Sequence, residues 1–133
     1  PRDADAKAGE AKWNVMDEPR DYAPEQVFQH VLAADKAGRT FAAFVNDELQ
    51  IGLCIRFEKS AIPYLTQWKS LASGDFAMAL EPTNCGFDGR AGATEILKPF
   101  EKHINRIRFQ ILDGKDEIEL LEHECREVLE CTM

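Results

Sequence analysis

Leu49-Gln50-Ile51-Gly52-Leu53-Cys54-Ile55-Arg56-Phe57-Glu58 decides what kind of fold this chain adopts. Five apolar side chains, Leu49, Ile51, Leu53, Ile55 and Phe57, alternate with Gln50, Gly52, Cys54, Arg56 and Glu58. A period of two places each set on its own side of a strand and does not fit a helix. Phe41 to Val45 is a short apolar strand in front of it, and Asn46-Asp47-Glu48 is a turn. The pair reads as an antiparallel hairpin whose Leu49-to-Phe57 face lies in the core. Burying those side chains would contribute about 1.5–3 kcal/mol each before chain entropy is subtracted.

The same period recurs on the C-terminal side. Tyr64, Thr66 and Trp68 share one side of a strand, and Ser70 to Asp75 is a loop holding Gly74. Phe76, Met78 and Leu80 then alternate with Ala77, Ala79 and Glu81, giving a bulky side and a nearly bare one that ends in a carboxylate. Pro82 cannot donate to a ladder, so the strand is expected to end there with Glu81 at its rim. Thr83 to Thr94 is a glycine-rich loop with Asn84 and Arg90, without the lysine and hydroxyl residue of a phosphate loop. Ile107, Phe109 and Ile111 alternate with Arg106, Arg108 and Gln110 in a strand that faces water on one side, closed by Asp113-Gly114. Ile118, Leu121, Cys125 and Val128 recur at helical spacing, predicting an amphipathic C-terminal helix.

On the N-terminal side the signal is weaker. Residues 1 to 23 are polar and irregular, with Trp13 and Val15 as apolar anchors. Glu25 to Leu32 admits two readings: Pro24 at a first turn and Gly38 as a stop favour a helix slightly, while Val27, Phe28 and Val31 also suit a strand. The sum is mainly β, antiparallel, with one helix: a sandwich-type domain spanning 1–133.

A formal net charge of −8 and a pI near 4.9 argue against binding nucleic acid or an anionic membrane surface. No apolar run approaches a membrane span, and no leader pattern is present in these residues, so a cytoplasmic location is expected. Cys54, Cys85, Cys125 and Cys131 lack metal-site or disulfide spacing and read as reduced thiols. His123, Cys125 and Cys131 are too sparse a set for zinc, so no metal and no cofactor are expected.

Glu81 is the candidate for chemistry. Its bland role is a solvated carboxylate at a strand end. The alanine-lined side offers the other: a floor for a flat polar ligand, with partial burial suiting the carboxylate to proton abstraction. Glu25 and Gln26 are as readily capping residues as ligands, and Trp68 is either core or a stacking platform. Arg90 is either exposed or an anchored donor. The histidines His30, His103 and His123 fall in no nucleophile grouping.

Several segments together resemble one family. Tyr22-Ala23-Pro24-Glu25-Gln26-Val27-Phe28, Ile62 to Lys69, Met78-Ala79-Leu80-Glu81-Pro82-Thr83-Asn84, Gly89-Arg90 and Ile96 to Glu101 look like the C-terminal part of aldose 1-epimerase-like proteins of the galactose mutarotase superfamily, in its uncharacterised branch. The resemblance spans about residues 1 to 112, and Leu80-Glu81-Pro82-Thr83-Asn84 is its most specific part. It implies a β-supersandwich of which this chain is the C-terminal portion, and it makes Glu25 to Leu32 a strand. It implies that Glu81 takes the proton from a sugar's anomeric hydroxyl while a histidine protonates the ring oxygen. Glu25 would hold sugar hydroxyls, with Gln26, Trp68, Asn84 and Arg90 as further contacts to a monosaccharide or sugar derivative. This chain departs from the pattern in two places: Pro99-Phe100-Glu101 stands where the family has Pro-Gly-Glu, and the upstream histidine segment has no counterpart here. Two alternatives follow, a non-catalytic carbohydrate-binding module and a sandwich acting only as an oligomer interface. An exposed sheet edge would favour association, with another copy or with an upstream part.

Overall fold

The computed structural model describes residues 1–89 and 95–130. They form two three-stranded antiparallel sheets and a long C-terminal helix. The chain divides into two compact units, Pro1–Val31 with Tyr64–Glu95, and Leu32–Pro63 with Ile96–Met133. No helix among the described residues is long and apolar enough to cross a membrane.

The first unit holds β1 (Gln26–His30), β4 (Tyr64–Ser70) and β5 (Ala77–Thr83) in the order β1-β4-β5. The strand reading of Glu25 to Leu32 holds over Gln26–His30. Each of those residues is paired with β4, from Gln26 opposite Lys69 to His30 opposite Leu65. Cross-strand pairing overrides the local helical spacing. Strand β5 does not end at Pro82. It runs to Thr83, with Pro82 opposite Leu65. A proline fits there because β5 is an edge strand, whose outward N–H positions need no partner.

Opposed residues in an antiparallel ladder share a face. One face of this sheet therefore carries Gln26, Phe28 and His30, then Leu65, Gln67 and Lys69, then Met78, Leu80 and Pro82. The N-terminal segment, expected to be irregular, packs on this face. It opens with α1 (Ala4–Ala8), whose N-cap Asp3 accepts the Ala6 N–H, followed by a 3-10 turn at Glu10–Lys12. Its fully buried apolar residue is Ala6; Trp13 and Val15 are nearly half exposed.

The seal between segment and sheet is polar. Gln67 donates to the Trp13 carbonyl at 2.8 Å, and its side-chain oxygen lies 2.9 Å from His30 Nε2. Lys69, 1% exposed, donates to the carbonyls of Lys12 at 2.6 Å and Val15 at 3.0 Å. Burial pushes its pKa below the ordinary lysine value, opposed by the nearby Asp17 carboxylate. A Cβ on Gly9 would fall on the Gln26 side-chain amide, so glycine is what lets the segment lie this close.

The second unit holds β2 (Arg39–Asn46), β3 (Ile51–Glu58) and β6 (Ile107–Asp113) in the order β2-β3-β6, with α2 (Lys115–Glu130) after Gly114. The expected hairpin is present, but Leu49 belongs to its turn. Both faces of β3 are partly buried, rather than one. Ile55 and Phe57 are buried as expected, whereas Leu49 and Ile51 are exposed. On the opposite side Cys54 and Leu112 are fully buried with Ile118 and Leu121 of α2, and Phe41 and Ala43 pack against that cluster. Burial pushes the Cys54 thiol above its ordinary range, so it acts as a small core hydrophobe. The expected helix face shortens accordingly, because Cys125 is exposed. In β6 the helix covers the Gln110 and Leu112 side. The Ile107-Phe109-Ile111 side is the exposed one, with Phe109 67% and Ile111 62% accessible.

Candidate functional site

The other face of the β1-β4-β5 sheet brings the predicted chemistry into rows. Gln29, Thr66 and Glu81 are directly opposed across the three strands, and Val27, Trp68 and Ala79 form the next row. Two strand spacings separate Glu81 from Gln29, about 10 Å, which is room for one pyranose ring above Thr66. Trp68 is half-buried, so its ring is neither wholly core nor free, and Ala79 beside it leaves the floor low. Glu81 is exposed at the edge strand rather than partly buried.

Beyond that row the chain turns over the end of the sheet. Thr83 Oγ1 donates to the Cys85 carbonyl at 2.7 Å, and Gln29 Nε2 reaches the same carbonyl at 3.4 Å. Gly86 lies close enough that a Cβ would touch the Gln29 amide at 3.5 Å. The segment after β5 is thereby drawn toward β1, with Asn84 exposed at its bend.

Not every candidate gathers here. Gln26 lies on the opposite face from Glu81, buried beneath Gly9. Glu25 is exposed one residue before β1, at the end of the sheet away from Glu81. Ideal strand geometry separates the two carboxylates by about 16 Å, too far to hold one monosaccharide together. Arg90 lies outside the described residues, as does Cys131. Among the described residues no group of three or more His, Cys, Asp or Glu could hold a metal ion, and His123 on α2 faces Glu127 at 3.7 Å. His30 is on the Gln26 face with its ring 4.8 Å from that of Trp13, so it cannot serve Glu81.

Sequence reasoning passed over Gln29 and Thr66. Thr66 was placed on the Trp68 side by its period of two, but only the pairing register sets both residues beside Glu81. Two open cavities lie in the second unit, and Glu81 lines neither. The first, of about 430 Å³, sits on the α2-covered side of the β2-β3-β6 sheet. On its floor Arg56 makes a two-pronged ion pair to Glu124, at 2.7 and 2.8 Å, and lies over the Phe41 ring at 5.0 Å.

A solved structure from Klebsiella pneumoniae subsp. pneumoniae MGH 78578, described as "a putative aldose 1-epimerase", superposes with a TM-score of 0.89 at 22% sequence identity. The match covers 96% of this chain and 35% of that one, so the chain spans about a third of that protein's length. It shows an aldose 1-epimerase-like fold, with two antiparallel sheets and a C-terminal helix. No curated protein matches the sequence significantly. The model of a domain of unknown function, DUF4432, matches residues 1–111, and the chain belongs to that family.

Proposed function

We propose that the Glu81 face of the β1-β4-β5 sheet binds a monosaccharide or sugar derivative, with Glu81 as the proton acceptor of a hemiacetal mutarotation. The observation that carries this reading is the shared row: Glu81, Thr66 and Gln29 stand side by side, next to Trp68 and Ala79. A sugar lying over Ala79 against Trp68 would turn its apolar C–H face to the indole and its hydroxyls to Thr66 and Gln29. The anomeric hydroxyl would give its proton to Glu81. The C1–ring-oxygen bond then breaks as the ring oxygen takes a proton, and rotation about C1–C2 before reclosure gives the other anomer. Glu25 and Gln26 fall outside the proposal, the first too far from Glu81 and the second buried on the opposite face, while Asn84 and Arg90 are kept in it as further contacts. The name carried by the Klebsiella protein supports the same class of substrate.

A second reading is favoured by a specific observation. The described residues of this face carry no histidine, and His30 is turned to the other side. The face would then bind sugar without exchanging its anomers. Polarimetry on freshly dissolved monosaccharide separates the two. Mutarotation faster than the buffer rate, returning to it in Glu81→Gln, supports the enzyme. Saturable sugar binding at the buffer rate supports the binding module, and equal acceleration by both proteins removes Glu81 as the base.

A further inference from the structure

The cavity of about 430 Å³ in the second unit has no part in the proposal above, and its lining is unusual for a chain of formal charge −8. Four guanidinium groups, from Arg39, Arg56, Arg106 and Arg108, face three carboxylates, from Asp35, Glu58 and Glu124, a surplus of one positive charge.

Two of the four are already spoken for. Arg39 binds Asp35 through Nη2 at 2.7 Å and Nε at 2.8 Å. Arg56 gives both terminal nitrogens to Glu124 and its Nε to Gln110 at 3.0 Å. Arg106 and Arg108 carry no ion pair among the described residues.

The register adds a second, independent argument. Arg108 is directly opposite Arg56 across β3 and β6. Like charges directly opposed in an antiparallel pair are destabilising, and Glu124 balances only one of them. Arg106 lies two residues before Arg108, so the two side chains share a face about 7 Å apart along the strand. Two forks without an ion pair at that spacing, above the charge-balanced Arg56–Glu124 pair, suit a tetrahedral oxyanion, which each guanidinium can meet with paired N–H donors.

We infer that the cavity bounded by β2, β3, β6 and α2 is an oxyanion site for a phosphate monoester, held by Arg106 and Arg108 over the Arg56–Glu124 pair. Its volume falls within the range of small-molecule pockets, so the ester can carry a group of monosaccharide size.

The test uses the chain as it stands and inorganic phosphate as the probe, with sodium chloride holding ionic strength constant. Arginine Nε–Hε resonances are followed by NMR in the wild type, in Arg106→Gln/Arg108→Gln and in Arg20→Gln, a control in the first unit. Saturable shifts at Arg106 and Arg108 are expected. Affinity should fall about tenfold or more in the double variant and stay unchanged in the control. Shifts that never saturate, or an affinity the double variant leaves intact, would overturn the assignment. The amide spectrum of the double variant reports whether it is folded, and phosphate-induced retention against thermal unfolding, present in wild type and lost in Arg108→Gln alone, gives an independent readout.

Discussion

Each of the two sheets has one face covered by a segment of its own unit, and the two covers are attached by opposite means. The β2-β3-β6 sheet covers its face with a helix through Cys54, Leu112, Ile118 and Leu121, an apolar contact that asks only for shape and volume. The β1-β4-β5 sheet covers its face with residues 1 to 20, through the side chains of Gln26, Gln67 and Lys69 bonded to backbone carbonyls or packed on glycine. A polar seal of that kind is directional. Gln67 fixes one carbonyl and Lys69 two, so the segment is held in one position, and that position anchors the sheet whose other face carries Glu81. The contrast predicts that the first sheet answers to pH and to hydrogen-bond deletions, and the second to volume.

The largest effect should come from Leu112→Ala, which empties the centre of the helix-covered cluster. About 3 kcal/mol of stability is expected to be lost, read from urea unfolding, because a fully buried leucine leaves a cavity its neighbours only partly fill. Gly52→Ala should cost about 2 kcal/mol in the same assay. Its Cβ would lie 3.0 Å from both the Phe44 carbonyl oxygen and a Leu112 methyl, and backbone cannot move aside easily. Equal tolerance of both changes would break the claim that close packing governs this sheet.

Lys69→Met probes the other seal. Among the described residues two carbonyls accept from Lys69, which matches the two N–H bonds of a neutral amine, whereas an ammonium has three. The native pKa is lowered, so between that value and the ordinary 10.5 the unfolded chain binds more protons than the folded one. Stability of the wild type therefore rises with pH across that window, and this rise should vanish in Lys69→Met. Near neutral pH the variant is expected to be only about 1 kcal/mol less stable, since the lost hydrogen bonds are offset by the relieved burial of charge. The deficit should then widen as pH climbs toward 10. A pH-independent difference would show that the ammonium is as well satisfied in the fold as in water.

The smallest change in stability belongs to Glu81→Gln, within about 0.5 kcal/mol, because the side chain is exposed and no hydrogen bond or ion pair holds it among the described residues. Activity and stability should thus separate at this position, unlike at Lys69.

How far the sequence could be read follows from the same contrast. The hairpin, β4, β5, β6 and the C-terminal helix all announce themselves through period, since each puts apolar groups at regular spacing. Periodicity cannot say which side of a strand is covered. The Ile107-Phe109-Ile111 face looked like core and is exposed, while Cys54 and Gly52, apparently on the outer side of β3, lie beneath α2. The polar seal is invisible in the sequence because Gln67 and Lys69, as a glutamine and a lysine in a strand, carry no signal of burial. Only the carbonyls of residues more than fifty positions away account for their burial. The short helix α1 falls in residues expected to be irregular; Asp3, three residues before Ala6 in an alanine-rich run, is the capping signal that reading passed over. For the candidate site, the alternation around Glu81 and Trp68 puts these two and Ala79 on one side, as the pairing register also does. It could not exclude Gln26, whose side of the sheet is fixed by its pairing with Lys69.

The proposed sugar face is tested most directly by mapping backbone amide shifts while a monosaccharide is titrated into the chain. The account predicts saturable movement concentrated at Gln29, Thr66, Trp68, Ala79 and Glu81, with Lys69 and Gln67 on the sealed side left still. Movement confined to the sealed side or to the β2-β3-β6 sheet, or none at saturating sugar, would contradict it.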